Sequence, residues 1–210
     1  MILIGQYDSS FVRRVGIALR LYGHDFEHRP WSVFGDARKV LALNPLGRVP
    51  ILVLDGGEVV ADSAAILDHL DEAAGGRALI PRSGPDRRAA LRVVSLAMGL
   101  AERAVSLYYA RHLSDGAAPL LTRRLEEQIA ATLAVLEGDR LTRHSDWWFG
   151  DVLGHADIAV ACALRHLSDA MPDLWDAVSH RALAGHCRDA EALPVFQEIS
   201  QPFAGPSGGN

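Results

Sequence analysis

Hydrophobic positions alternate between two periods along the first third of the chain and settle into a single helical period after it. That change is expected where strands exchanging with helices give way to an all-helical region. Met1 to Gln6 reads as a short buried strand. Phe11, Val15, Ala18, Leu19 and Tyr22 recur at spacings of three and four, which predicts a helix starting near Ser9 and ending at Gly23. Phe26 to Arg29 reads as a second strand, and residues 35–43 as a short helix closed by the turn Asn44-Pro45-Leu46-Gly47. Ile51-Leu52-Val53-Leu54 and Glu58-Val59-Val60 flank Asp55-Gly56-Gly57, whose residues tolerate the positive φ of a tight hairpin. Ser63 is a suitable N-cap for a helix carrying Ile66, Leu67 and Leu70, ended by Gly75-Gly76.

Between Arg77 and Pro85 the sequence turns rich in Pro, Gly and Ser, and a domain boundary is expected there. Beyond it, Leu91, Val94, Met98, Ala101, Val105 and Tyr108 form one helical stripe, and Leu121, Leu125, Ile129, Leu133 and Leu136 form a second. Ala156 to Leu167 is Ala-rich and almost uncharged, as suits the most buried helix of a bundle. Trp175–Leu183 and Arg188–Ile199 are shorter helical segments, and Gly205-Pro206-Ser207-Gly208-Gly209 is expected to be a mobile tail. The predicted organisation is therefore an α/β domain over 1–76, a linker over 77–85, an all-α domain over 86–202 and a tail over 203–210.

Composition narrows the function class. With 210 residues, 49% of them hydrophobic and 22% charged, and a mean hydropathy of +0.08, the chain can bury a large core, which excludes a disordered protein. A net charge of −5 with scattered arginines argues against a nucleic-acid partner. No apolar run is long enough to span a bilayer, and Met1-Ile2-Leu3-Ile4 is interrupted too soon for a secretion signal, so a cytoplasmic location is expected. Two cysteines cannot make a disulfide scaffold. The spacing of His180, His186 and Cys187 matches no zinc pattern, and Cys162 reads as a small core residue. No metal is expected. Trp147-Trp148-Phe149 reads as a loop that staples the Ala-rich helix to its bundle.

Three segments could carry chemistry. Tyr7-Asp8-Ser9-Ser10-Phe11 places two hydroxyls where a strand hands over to a helix, beside unpaired N–H groups and the positive end of the helix dipole; the alternative is a simple N-cap. In Asn44-Pro45-Leu46-Gly47-Arg48-Val49-Pro50-Ile51 a proline opens a strand, and a cis Val49–Pro50 bond would turn the Val49 backbone outward to pair with an extended peptide; the alternative is an ordinary turn. Asp62-Ser63 lies at another strand-to-helix junction, where a carboxylate suits an ammonium group and a hydroxyl with helix N–H groups suits a carboxylate; capping explains the pair equally well.

In this order the three segments resemble the glutathione transferase superfamily, within it the serine classes related to tau and zeta and small bacterial members. The resemblance extends to Trp148-Phe149-Gly150-Asp151 and Ala156-Asp157-Ile158-Ala159 near the core helix, where Asp157 would support the helix start. It implies a thioredoxin-like domain followed by the helical bundle, a cytoplasmic homodimer, and a reaction of glutathione with a small apolar electrophile. The catalytic serine then falls on Ser9, with Ser10 second and Tyr7 a minor alternative. The cysteinyl unit falls on Val49 before Pro50, the γ-glutamyl end on Asp62 and Ser63, and the glycyl carboxylate near Arg48. Tyr7, Arg103, Ser106, Tyr108 and Tyr109 could line an electrophile pocket. The chain departs from the family where Ser10 replaces a proline, where Phe11 stands in place of the cysteine of the zeta Ser-Ser-Cys motif, and where Gly154 replaces a Ser or Thr cap. A hydroxyl with no histidine beside it can donate a hydrogen bond to a thiolate but has no base to take its proton. A binding protein that has kept the scaffold without turnover, and a glutathione-dependent isomerase or thiol-transfer enzyme, are the alternatives.

Overall fold

A computed structural model of the chain describes residues 1–113 and 118–205. Its first unit runs from Met1 to Leu79 and takes up the chain again from Pro194; its second is Ile80–Leu193. In the first, β1 (Ile2–Ile4), α1 (Ser10–Leu21), β2 (Glu27–Arg29), α2 (Ala37–Leu43), β3 (Ile51–Val53), β4 (Val59–Ala61) and α3 (Ser63–Ala74) follow in order. The sheet has the order β2-β1-β3-β4, with β1 and β2 parallel and the other pairs antiparallel. Alternation across the strands decides which helix each residue meets. Leu3 and Leu52 are paired across the sheet and pack with Val12, Val15 and Leu19 of α1 and Ile66 and Leu70 of α3. Ile4 and Ile51, one residue along, face the other way and bury Val40 of α2.

The second unit holds α4 (Gly84–His112), α5 (Pro119–Leu141), α6 (His155–Ala170) and α7 (Arg181–Glu191). As its composition predicts, α6 is buried almost all round, from Ala156 to Leu164 without a break. Leu125, Ile129, Leu133 and Leu136 of α5 are buried as expected, while Leu121, at the helix start, is exposed. On α4 the buried face is Ala90, Val93, Ala97, Leu100, Ala101, Ala104 and Leu107: Ala101 is buried as expected, the others lie one residue behind the stripe expected from the larger side chains, and Leu91 is exposed. α4 packs on α6, and the buried faces of both helices are rich in alanine.

The chain's end departs further from expectation. One helix, α7, spans the break expected between Leu183 and Arg188, and Pro194 opens a short α8 (Pro194–Glu198). From Pro194 the chain belongs to the first unit, whereas its sequence predicts a helical domain up to residue 202. The reason is Arg13, a buried guanidinium on α1 that donates from Nη2 to the Phe196 carbonyl and from Nε to the Ile199 carbonyl, each at 2.8 Å. Gly16 leaves the room: a Cβ there would stand 2.8 Å from Ile199 Cγ2. The start of the expected tail is bonded too, since Ala204 N–H donates to the Asp8 carboxylate at 3.0 Å. Residues 206–210 of that tail lie outside the described residues. The expected linker is also shorter, because α4 starts at Gly84.

Candidate functional site

The site is assembled at three junctions of the first unit where a strand or turn hands over to another element. At the first, Ser9 is the N-cap of α1 by backbone conformation, but its hydroxyl makes no capping hydrogen bond. Ser9 is half-buried, so this hydroxyl remains available to a ligand beside the unpaired N–H groups of the first helical turn. Ser10 is shut away at 2% exposure, and its Oγ has no hydrogen-bond partner. Tyr7 turns its ring into the packing, stacked on His28 with centroids 3.8 Å apart and against the surface of α1 at Gly16. Loss of water around the phenol pushes its pKa up to about 12, so the ring stays neutral.

At the second junction the Val49–Pro50 bond is cis. Val49 lies outside β3, and its N–H and C=O take part in none of the backbone hydrogen bonds that link the described turns and loops. Pro50 is buried at the strand start, where no ladder donor is needed. The preceding turn is shaped by Asn44, whose Nδ2 donates to the Arg48 carbonyl at 2.9 Å and whose Oδ1 accepts from Leu46 N–H at 3.1 Å. Arg48 itself is exposed. Gly5 at the end of β1 brings this turn against α1: its φ is +127°, and a Cβ there would lie 2.5 Å from Val12 Cγ2 and 2.9 Å from Val49 Cβ. Only glycine lets the chain run between the two.

At the third junction the structure corrects the cap: Asp62 and not Ser63 precedes the helix, and Asp62 Oδ1 accepts the Ala64 N–H at 2.7 Å. Asp62 is exposed, with φ of 75°, a left-handed conformation rare outside glycine and often found at ligand sites. Ser63 is the first helical residue and is nearly buried. Its Oγ accepts a 2.7 Å hydrogen bond from Nη2 of Arg14, a buried guanidinium on α1. With a lone pair so occupied, the Ser63 hydroxyl proton is left to donate, and a positive charge stands behind it. Arg14 ties the first junction to the third and Gly5 ties the first to the second; by its chemistry an exposed carboxylate suits an ammonium group, a hydroxyl backed by an arginine suits a carboxylate, and an open hydroxyl at a helix start suits an anion.

Comparison with known proteins decides the family. Residues 3–78 match the glutathione S-transferase N-terminal domain, and residues 106–189 match the glutathione S-transferase C-terminal domain. The chain belongs to the glutathione S-transferase superfamily. It is 32% identical over 173 residues to the uncharacterized GST-like protein YibF of Escherichia coli, covering 80% of this chain and 82% of that one. It is 33% identical over 172 residues to the maleylacetoacetate isomerase of Pseudomonas aeruginosa, covering 75% and 77%. A crystal structure of a glutathione S-transferase of Methylobacterium radiotolerans in complex with glutathione sulfonate superposes with a TM-score of 0.91 at 29% identity, covering 100% of this chain and 98% of that one.

In this glutathione S-transferase the remaining residues singled out by sequence lie on α4. Arg103 donates to Gln128 of α5 at 3.3 Å and pairs with Glu102, and Tyr108 stacks on His112 with centroids 4.2 Å apart. These contacts give both a structural use within the second unit. Asp157 acts as expected at the start of α6, accepting from Gly154 N–H at 2.9 Å and from Trp148 N–H at 2.7 Å. Burial raises its pKa and lowers that of His186, which packs beside it under Trp147 and Trp148. Among the described residues no cluster of His, Cys, Asp and Glu could hold a metal, and no helix is long and apolar enough to cross a membrane. Sequence reasoning missed Arg14 and Asn44. Nothing local in the sequence marks two adjacent arginines on a helix as buried, and only the tertiary fold covers α1 on both sides there.

Proposed function

We propose that this transferase binds glutathione in the first unit and uses Ser9 to hold its sulfur as a thiolate that attacks a small apolar electrophile. The γ-glutamyl ammonium is placed at Asp62 and its carboxylate at Ser63, the cysteinyl backbone pairs with Val49 ahead of Pro50, and the glycyl carboxylate lies toward Arg48. The observation that carries the reading is the Ser9 hydroxyl, which stands at the helix start without capping it and so is free to donate to an anion there. Whole-chain similarity to a transferase complexed with glutathione sulfonate supports the choice of ligand.

Energetics are sufficient for this role. A thiol titrates near 8.5, and lowering that by two units requires about 2.7 kcal/mol. A hydroxyl donating to a charged acceptor contributes about 1.5–3 kcal/mol and a helix start about 0.3–1 kcal/mol. The thiol proton leaves to solvent, the thiolate sulfur forms a bond to the electrophilic carbon, and a leaving group departs with its electron pair or the electrophile is protonated. Calorimetric titration with glutathione tests the site, with affinity expected in the micromolar to millimolar range. Ser9→Ala should then raise the thiol pKa of bound glutathione by about one to two units while the affinity stays nearly intact, read from thiolate absorbance against pH. An unchanged pKa would exclude Ser9.

A second reading, a glutathione-dependent isomerase, is favoured by the relatives named maleylacetoacetate isomerase in Pseudomonas aeruginosa and Rhizobium meliloti. Phe11, standing where zeta members carry a cysteine, speaks against it. Turnover of maleylacetoacetate with glutathione, measured beside a panel of electrophiles, separates the two, and binding without turnover of either would point to a non-catalytic protein. A homodimer and a cytoplasmic location accompany the proposal as properties of the family, the first checked by sedimentation.

A further inference from the structure

We infer that the segment Ile199–Ala204 is a positioning strap for the loop that carries Ser9, so that the end of the chain sets the geometry of the hydroxyl at the start of α1. The inference rests on the thiolate role of that hydroxyl proposed above, and it is carried by contacts on the two residues just before it.

The loop between β1 and α1 has little to hold it from within. Its one internal backbone bond is the Ser9 N–H to the Gln6 carbonyl at 3.2 Å. β2 holds the start of the loop, through the Gly5 N–H to the Arg29 carbonyl at 2.9 Å, His28 Nε2 against the Gly5 carbonyl at 2.8 Å and the Tyr7 ring on His28, and the chain's end adds two further bonds. Gln201 Oε1 accepts the Tyr7 N–H at 2.8 Å, and Asp8 Oδ2 accepts the Ala204 N–H at 3.0 Å, across separations of 194 and 196 residues. A clasp on both residue 7 and residue 8 fixes the approach of the backbone to Ser9, and with it the direction of the Ser9 Cα–Cβ bond. The strap has a firm anchor one turn before. Arg13 holds the Phe196 and Ile199 carbonyls, Arg20 pairs with Glu198 at 2.8 Å, and Ile199 is buried against α1 where Gly16 leaves space. Anchor and clasp therefore grip the same helix, the first along its first three turns and the second just ahead of its first residue.

Gln201 is the residue that separates this role from ordinary packing, because its side chain reaches the loop through one acceptor atom. Gln201→Leu removes the acceptor at similar size, whereas Gln201→Glu keeps an oxygen for the Tyr7 N–H. Two readouts on the full-length protein test the strap. Hydrogen–deuterium exchange without ligand should show the amides of residues 6–10 exchanging about threefold to tenfold faster in Gln201→Leu, with other segments unchanged, and restored in Gln201→Glu. With glutathione bound, the thiol pKa should rise by about half a unit in Gln201→Leu. Exchange at the wild-type rate in Gln201→Leu overturns the strap. Faster exchange with an unchanged thiol pKa overturns its catalytic role and leaves a purely structural contact. If the wild-type protein binds no glutathione, the functional proposal falls, and exchange alone decides whether the segment holds the loop.

Discussion

The exposed Asp62 carboxylate is asked to do two things at once. One oxygen caps α3 through the Ala64 N–H, and the proposed ligand ammonium would meet the other, from a residue held at a φ of 75°. Two substitutions separate these uses. Asp62→Asn retains an oxygen cap and a residue tolerant of left-handed backbone, so it should leave stability within about 0.5 kcal/mol while weakening glutathione binding about tenfold through loss of charge. Asp62→Ala should weaken binding similarly and also destabilise the protein by about 1 kcal/mol through the lost cap. Calorimetry and denaturant titration on the two variants check this. Equal binding by wild type and Asp62→Asn would remove Asp62 from the ligand site. Behind the same junction, Arg14 shows why residue identity alone does not reveal a role. Its charge lies under α3 only because α1 and α3 pack against one face of the sheet.

At the scale of single elements, the start of α6 concentrates stability in one side chain. Asp157 gathers the N–H groups of Trp148 and Gly154 and so fixes the loop, in which Trp148 is fully buried and donates to Asp139. Gly154 offers no side chain at the cap, so this half of the usual reciprocal arrangement stands alone. Asp157→Ala leaves one buried and one half-buried donor without its acceptor and should cost about 3 kcal/mol, lowering the melting temperature by roughly 6–12 °C. Thermal denaturation measures it, and a loss below about 1 °C would show that the loop re-forms without the carboxylate. Element boundaries were largely legible in the sequence, since the strands, the hairpin and α1 to α3 fall within a few residues of where periodicity and turn residues put them. The face of α4 was not. Periodicity read from large side chains selects the stripe with the most hydrocarbon, whereas the face that α4 buries carries four alanines beside Val93, Leu100 and Leu107.

For the molecule as a whole, the tyrosines of the first unit predict how stability responds to alkali. Tyr7 loses water to its neighbours, and Tyr22 is buried, donates its hydroxyl proton to Asp71 and accepts the Leu79 N–H at 2.8 Å. Both phenols hold their protons more tightly when folded. The unfolded chain releases them near pH 10, so above that it binds fewer protons than the folded chain, and stability should fall as pH rises from about 10 toward 12. Tyr7→Phe should flatten part of that fall, as denaturant midpoints measured across the range would show; an unchanged slope would mean that Tyr7 titrates normally.

Hydrophobic period and turn residues were enough to divide the chain into an α/β part and a helical part, and the resemblance of three short segments to the glutathione transferases named the family and put Ser9, Val49, Asp62 and Ser63 forward as candidates, because such signals are local. Tertiary structure alone decided which of the two serines faces solvent, where the Arg13 and Arg14 charges are buried, and that the chain's end returns to the first unit to grip the loop before Ser9. The physical reason is range. Hydrogen bonds made across nearly two hundred residues leave no periodic trace in sequence, and burial of a charge depends on what the rest of the chain lays over it.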